Sequence, residues 1–288
     1  MLQQYVKRIK TPFTIAVGQH MIKSFLFLIV CLFLNGNILS QECPYTIYSR
    51  LSDSARQSFK SQKFKEARNL FQQAFQQTDF PLGHDLSFAL VVAVETDDHH
   101  FAKMVATQLA KGGIPKRYFS KYAKKKWFKE FSAEWPSHTK YFEEHFSREM
   151  HNQFIALIEL DNNFNNQYHQ WREGKIELSL VELIESAQRV VVGFEEFYQE
   201  FGFPLERKMG YNYDRTKNRI EPYPTHIVLI HIYQRGMRLF EENLVEIVCQ
   251  GGLEPKYLPT IKKIQGFGDG TSIENEMTAR YRKYRPDN

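Results

Sequence analysis

The sequence predicts an all-α protein in which helical-repeat-like hairpins are followed by a helical domain with long amphipathic helices. Apolar residues recur at three- to five-residue steps along most of the chain, which is the spacing of amphipathic helices. No segment shows the alternation of apolar and polar residues that is typical of a half-buried strand. The high aromatic content excludes extensive disorder. We therefore expect packed layers of helices.

The first element along the chain is a predicted signal peptide, residues 21–40. Lys23 precedes ten consecutive apolar residues, 25–34, and the segment ends at Ser40. Ten apolar residues are too few to span a bilayer, which requires about 20, so cleavage after Ser40 is expected rather than anchoring. Because residues 1–20 lie upstream of a complete signal, translation is expected to begin at Met21. The mature protein would then be periplasmic or secreted.

The charge of the mature chain does not favour a nucleic-acid partner. The full sequence has 38 Lys+Arg against 33 Asp+Glu, but residues 1–40 contain four basic residues and no acidic residue. Removing them leaves 34 against 33, a formal charge of +1, which is too small for a global attraction to nucleic acid. No second apolar run reaches membrane length, so no transmembrane segment is expected after cleavage.

Two cysteines remain in the mature chain, Cys43 and Cys249. An exported protein meets an oxidising environment, so a disulfide that joins the amino terminus to a late helix is one alternative. Two free thiols are the other alternative. Lipidation of Cys43 is not favoured, because the three residues before it lack the small side chains of a lipoprotein signal.

Residues 44–136 are predicted to form helical hairpins, with Asp53 or Ser54 as an early helix cap. The apolar stripe of the first hairpin consists of Leu51, Ala55, Phe59, Phe64, Ala67, Phe71 and Ala74. About 34 residues further on, a similar pattern recurs at Ala89, Ala93, Phe101, Ala102 and Ala106.

Ala67 and Ala74, with Phe71 between them, resemble the second half of a tetratricopeptide repeat, where small residues let two helices approach closely. The resemblance covers about 60 residues, with a partial third unit at 118–131. It implies a module that binds proteins or peptides. The repeat's Trp, Leu-Gly and Pro positions are missing or shifted, so an ordinary helical hairpin stays the alternative.

A basic segment follows at residues 111–129, where aromatic residues lie between the cations and no acidic residue occurs. One interpretation is a patch for an anionic partner such as lipid headgroups, glycans or nucleic acid. Its central cations would be Lys121, Lys124, Lys125 and Lys126. The other interpretation is a helix with a solvated basic face and an aromatic inner face. Glu130 and Glu134 follow directly and favour this second interpretation.

Residues 137–270 are predicted to form a helical domain of unknown function, followed by a polar tail, 271–288. Its first long helix begins near Tyr141, and its apolar stripe consists of Phe146, Met150, Phe154, Leu157, Phe164, Tyr168 and Trp171. A second helix is expected over 177–201.

Gly202 closes that second helix, and Pro204 prevents its continuation. Residues 205–224 are expected to be irregular. A third helix is expected over 225–248, bent at Gly236, and a last one over 255–264.

Asp161 is the most informative single residue of this domain. It follows Leu157 by four residues and precedes Phe164 by three, so it lies on the apolar stripe of its helix. A buried unpaired carboxylate costs several kcal/mol, and Asp161 must therefore face a cavity or meet a donor. We expect His231 or a backbone amide near Gly210 as that donor. A pocket acid and a structural hydrogen bond are both open interpretations.

His231 lies in a run of apolar residues, 227–233, and is expected to be enclosed and hydrogen-bonded. Such a histidine is either structural or catalytic. The other histidines lack the spacing of a helical metal pair, and no zinc signature, nucleophile elbow or phosphate loop occurs. No metal or other cofactor is therefore predicted.

The region from about 150 to 270 resembles an uncharacterised bacterial domain family of unknown function, whose members carry Asp-Gln, Gly-Trp-Pro, Gln-His and Gln-x-Tyr-Gly motifs. The matching residues are Asp161-Asn162, Gly202-Phe203-Pro204 with Gly210, Ile230-His231, and Gln265-Gly266-Phe267-Gly268. The resemblance implies a shared pocket, with Tyr211 beside Gly210 in its lining. Several polar motif members are replaced here, and the family's Arg is not found, which indicates that any family reaction has been lost.

The sequence leaves three functions open. The favoured hypothesis is an exported helical-repeat module that binds an unknown protein or peptide, because no recognisable catalytic set occurs. The second is a hydrolase-like enzyme, or a degenerate relative of one, with Asp161 and His231 as its acid–base pair. Its pocket would be lined by Tyr211, Tyr213 and Gln265. The third is attachment to an anionic envelope component through residues 111–129. The oligomeric state stays open.

Overall fold

A computed structural model of the chain describes residues 43–235 and 238–264. The prediction of an all-α fold is confirmed, because this part of the chain is helical apart from one two-stranded hairpin. The described residues from Pro44 onward belong to one compact unit. The predicted signal peptide, the segment before it and the polar tail lie outside the described residues.

Four helices form the first part of the described chain: α1 (Pro44–Lys60), α2 (Phe64–Phe75), α3 (Gly83–Glu95) and α4 (His99–Lys111). Short turns connect α1 with α2 and α3 with α4, and each pair packs as a helical hairpin. The small residues of the predicted stripes are fully buried between these helices, and they are Ala55, Ala67, Ala74, Ala89 and Ala93. The close approach that they allow explains why the sequence places alanine there.

The predicted start of the first helix is wrong. Helix α1 begins at Pro44, so Asp53 and Ser54 lie inside it and cap nothing. Proline is favoured in the first turn of a helix, because its missing N–H would have no partner there. Asp53 instead forms an ion pair with Arg56, one turn further along α1.

A 3₁₀-helix (Lys116–Tyr122) and two short helices, α5 (Phe128–Ala133) and α6 (Trp135–His145), follow the hairpins. They contain the basic segment, which therefore lacks the single helix expected there. The predicted aromatic inner face is present, because Tyr118, Phe119, Tyr122 and Trp127 are buried.

The two long helices are α7 (Arg148–Arg172) and α8 (Leu180–Phe201), and they pack against each other. Helix α7 begins later than predicted. Phe146 is extended, and the Ser147 side chain caps the new helix by accepting a hydrogen bond from the Met150 amide at 3.1 Å. Ser179 and Glu182 form a capping box that starts α8. The predicted end at Gly202 is confirmed, with φ at 74°.

The rest of the described chain consists of short elements. They are α9 (Glu206–Met209), the antiparallel strands β1 (Tyr213–Asp214) and β2 (Arg219–Ile220), α10 (Thr225–Gln234), a 3₁₀-helix (Glu241–Asn243), α11 (Leu244–Cys249), a 3₁₀-helix (Pro255–Tyr257) and α12 (Leu258–Ile264). The predicted continuous helix over 225–248 is wrong. Helix α10 ends at Gln234, and Phe240 has a left-handed φ of 66°, which no α-helix accommodates.

The two predicted regions, 44–136 and 137–270, share an interface within the described residues. Helix α11 packs against α1, and Cys43 and Cys249 are disulfide-bonded, so the alternative of free thiols is excluded. Tyr211 fills the space above Gly83, where a Cβ atom would lie 2.6 Å from its ring. The Tyr211 amide donates to the Gly112 carbonyl at 2.8 Å, and its hydroxyl donates to the Pro81 carbonyl at 3.0 Å. The segment after α8 is thereby fixed onto the hairpins.

Among the described residues, no helix combines the length and the apolar character needed to cross a membrane.

Candidate functional site

Asp161, His231 and Arg235 form a buried cluster between α7 and the end of α10. Asp161 has 1 % of its surface exposed. Its Oδ2 lies 2.6 Å from Nδ1 of His231, and its Oδ1 accepts a 2.7 Å hydrogen bond from the Arg235 guanidinium. The structure therefore brings together the two residues of the proposed acid–base pair and adds a cation that was not foreseen.

The contacts of His231 determine which of its ring nitrogens carries hydrogen. A carboxylate only accepts hydrogen bonds, so Nδ1 of His231 donates to Asp161. The Asn165 amide nitrogen lies 3.0 Å from the same Nδ1, but it finds a true acceptor in the Asp161 carbonyl at 2.8 Å. Nε2 of His231 has no hydrogen-bond partner among the residues that the structure describes.

The surroundings keep Asp161 ionised. Burial alone would raise its pKa, but the hydrogen bond from His231 and the charge of Arg235 outweigh burial and hold the pKa below its ordinary value. Arg235 is itself 3 % exposed, and its guanidinium lies 4.4 Å from the centre of the Phe164 ring. Arg235 follows His231 by four residues, and this spacing puts both side chains on one helix face. The spacing is the sequence signal that could have identified Arg235 as a member of the cluster.

The cluster belongs to none of four cavities that the described residues line. Asp161, His231 and Arg235 are absent from the lining of all four. The cluster joins α7 to the end of α10 through a buried ion pair between Asp161 and Arg235.

Of the predicted binding residues between 202 and 211, Gly210 and Tyr211 contact the hairpins, whereas Phe203 contacts Phe240. Phe203 is buried, and its ring centre lies 5.4 Å from that of Phe240. Gly210 has a φ of 82°, and a Cβ atom there would lie 2.8 Å from the Gly112 carbonyl oxygen. These residues fix the chain as it leaves α8. Gln265 and Phe267, which were predicted to line the same pocket, lie outside the described residues.

Pro204 belongs to a small cavity of about 50 Å³ that the sequence did not indicate. Glu206 lines this cavity, is buried, and accepts a 2.8 Å hydrogen bond from the Gly83 amide. Burial, with a smaller contribution from the nearby carboxylates of Asp85 and Glu254, raises the pKa of Glu206 to about 8. This raised pKa favours the protonated, uncharged form of Glu206 at neutral pH.

A polar network beside this cavity joins α1 to α3. Asp85 is buried, accepts a 2.6 Å hydrogen bond from the Tyr48 hydroxyl, and forms an ion pair with Arg56. Arg56 also contacts the ring of His84 at 2.9 Å. Each carboxylate oxygen of Asp85 therefore has a partner within the network.

The basic segment keeps its cations on the surface. Lys121 lies over the rings of Tyr118 and Tyr122, and partial burial lowers its pKa. None of Lys121, Lys124, Lys125 and Lys126 has an ion-pair partner among the described residues. The acidic residues that follow are occupied elsewhere, because Glu130 and Glu134 bind Lys103 of α4 at 2.6 and 2.9 Å.

The largest of the four cavities is a groove of about 830 Å³ between the hairpins and α7, which we call the junction groove. Its lining comes from the end of α4, the 3₁₀-helix after it, α6, the first two turns of α7 and the segment 209–215. Apolar lining residues include Ile114, Phe142 and Ile155, and polar ones include Thr139, Asn152 and Asn212. No local spacing links these residues, so the sequence did not indicate the groove.

The junction groove combines apolar walls with hydrogen-bonding groups, which is the composition of a binding site. Within the described residues, no group of three or more His, Cys, Asp and Glu side chains is placed to hold a metal ion.

No family model, curated protein or solved structure matches the chain. The two sequence resemblances therefore stay predictions, and the function is inferred from the geometry of the protein itself.

Proposed function

We propose that the mature protein is an exported, non-enzymatic binding module that holds an extended segment of another protein in the junction groove. The observation that carries the proposal is the groove itself, in which the hairpins and α7 supply opposite walls of one cavity of about 830 Å³. A cavity of this volume falls within the usual range for ligand sites, about 300–1,000 Å³.

Two further features support the proposal. The disulfide of Cys43 and Cys249 is stable in an oxidising compartment, in agreement with export. Tyr211 and its neighbours anchor the groove segment to the hairpins, so the walls are positioned before a ligand arrives. A preorganised site loses less conformational entropy on binding.

A groove-filling substitution tests this proposal. Asn152 is exposed, lies on α7 and lines the groove, so Asn152→Trp should block it. Peptides selected from a random display library on the wild-type mature chain are expected to bind this variant at least about 10-fold more weakly. The dissociation constants are measured by isothermal titration calorimetry.

Asn163→Trp is the matched control, because Asn163 is exposed on the same helix and lines none of the four cavities. It should bind the selected peptides as the wild type does. Failure to enrich any peptide, or equal affinity for both tryptophan variants, would contradict the proposal.

A second candidate function is hydrolysis at His231. The observation that favours it is the 2.6 Å contact with Asp161, which orients the ring and leaves Nε2 without a partner among the described residues. If this candidate were correct, Asp161→Asn would abolish a hydrolytic activity while the free energy of unfolding stayed unchanged. The binding proposal is preferred because Asp161 is already neutralised by Arg235 and lines no described cavity.

A further inference from the structure

We infer that the segment held in the junction groove is acidic, so that the ligand class is a peptide rich in Asp or Glu. This inference rests on the proposed binding function and specifies its ligand.

The charge of the groove lining has one sign. Arg117, Arg148 and Arg215 line the groove, and no Asp or Glu side chain is among its lining residues. His151 also lines it, but burial lowers the pKa of its ring, so the three arginines supply the charge at neutral pH. A concave site with cations and without carboxylates attracts negative charge.

Arg117 is held in place without being neutralised. Its Nε donates to the Tyr213 hydroxyl at 3.0 Å, and its NH2 group donates to the Arg215 carbonyl at 3.1 Å. Both acceptors are uncharged, and the guanidinium carbon lies 5.2 Å from the centre of the Tyr213 ring. The positive charge is therefore positioned and still available to a carboxylate.

The other two arginines are similarly available. Arg215 has no ion-pair partner among the described residues. The ion pair of Arg148 with Glu143 is an exposed contact of 3.4 Å, and such surface pairs are weak.

The shape and the remaining lining favour a peptide over other polyanions. Ile114, Ile155 and Met209 give the groove apolar contacts, which suit side chains rather than phosphodiester backbone. The side-chain amides of Asn152 and Asn212 also line it and can pair with a peptide backbone. A membrane surface cannot enter a concave groove, and the formal charge of +1 on the mature chain gives no general attraction to nucleic acid.

The test compares fluorescein-labelled peptides of about ten residues that alternate Glu with Leu, Gln with Leu, or Lys with Leu. Fluorescence anisotropy with the full mature chain is expected to give the Glu peptide at least about 10-fold higher affinity than the Gln peptide at low salt. Its affinity should fall as sodium chloride increases, because the contacts are ionic.

Arg148→Glu is expected to weaken binding of the Glu peptide at least about 10-fold, since it places a like charge in the groove. Arg189→Glu is the matched control, because Arg189 is exposed on α8 and lines none of the four cavities, and the change in net charge is identical. Thermal melting followed by circular dichroism confirms that both variants are folded.

The outcomes separate this inference from the proposed function. Equal affinity for the Glu and Gln peptides, both lost in Asn152→Trp, would overturn the acidic ligand and leave the binding module intact. No binding of any peptide would overturn both. Binding of single-stranded oligonucleotides or anionic vesicles in place of the Glu peptide would overturn the inference as well.

Discussion

Replacing Asp161 with Asn is expected to lower the free energy of unfolding by about 3–5 kcal/mol, the usual cost of breaking a buried ion pair by removing one partner. The substitution keeps the side-chain volume but removes the charge that Arg235 faces at 2.7 Å. Arg235 would then be a buried cation without a counterion, since it is 3 % exposed. Urea unfolding of the mature chain, followed by circular dichroism, measures the loss.

Asp97→Asn is the control for this measurement, because the Asp97 side chain is 79 % exposed. It should change the free energy of unfolding by no more than about 0.5 kcal/mol. A double variant, Asp161→Asn with Arg235→Met, should lose less than the sum of the two single losses, because no unpaired charge remains. A loss below about 1 kcal/mol for Asp161→Asn would show that the carboxylate is hydrated.

The pH dependence of the stabilisation by Asp161 follows from the direction of its pKa shift. The folded-state pKa of Asp161 lies below its ordinary value, so the folded protein releases the proton more readily than the unfolded chain. The stabilisation is therefore present above the ordinary carboxyl range and is lost as the pH falls through the lowered pKa.

Replacing Glu206 with Gln is expected to raise the free energy of unfolding at high pH, by an amount similar to the loss in Asp161→Asn. Wild-type stability that depends on Glu206 is lost at high pH, whereas stability that depends on Asp161 is lost at low pH. Burial raises the pKa of Glu206 from 4.5 to about 8, so the folded state retains a proton that the unfolded chain has already lost. Stability should decline as the pH rises between these two values and stay low above them. At about 1.4 kcal/mol for each pH unit, the decline from Glu206 amounts to about 5 kcal/mol.

The side chain at position 206 of the Glu206→Gln variant cannot ionise. Its amide oxygen can still accept the hydrogen bond from the Gly83 amide. The variant is therefore expected to be more stable than the wild type at pH above about 8 and nearly equal to it near pH 5. Urea unfolding at several pH values measures the difference. Glu159→Gln, on an exposed position of α7, should leave the pH profile unchanged. A constant difference at every pH would show that Glu206 is ionised in the folded protein.

The sequence identified those features whose cause is local. The position of Asp161 on an apolar stripe and of His231 in an apolar run marks each as a buried polar residue, because three- and four-residue spacing reports the face of a helix. The contact between them agrees with that expectation. Gly202 after an aromatic stripe and before a proline likewise marks a helix end.

The features that the sequence did not indicate depend on distant parts of the chain. Glu206 is buried because it meets Gly83, which lies 123 residues earlier. The arginines of the junction groove come from three separate elements, so no spacing between them carries a signal. The break after α10 lies at Phe240, whose left-handed conformation has no local indicator such as glycine.

Hydrogen–deuterium exchange of the mature chain with and without the Glu–Leu peptide tests the central claim most directly, because it locates the ligand without any substitution. We expect slower amide exchange in the segments that line the junction groove, residues 110–117, 148–155 and 209–215. Exchange around Asp161 and His231 should stay unchanged. Protection confined to other surfaces, or no protection at saturating peptide, would contradict the assignment of the groove as the binding site.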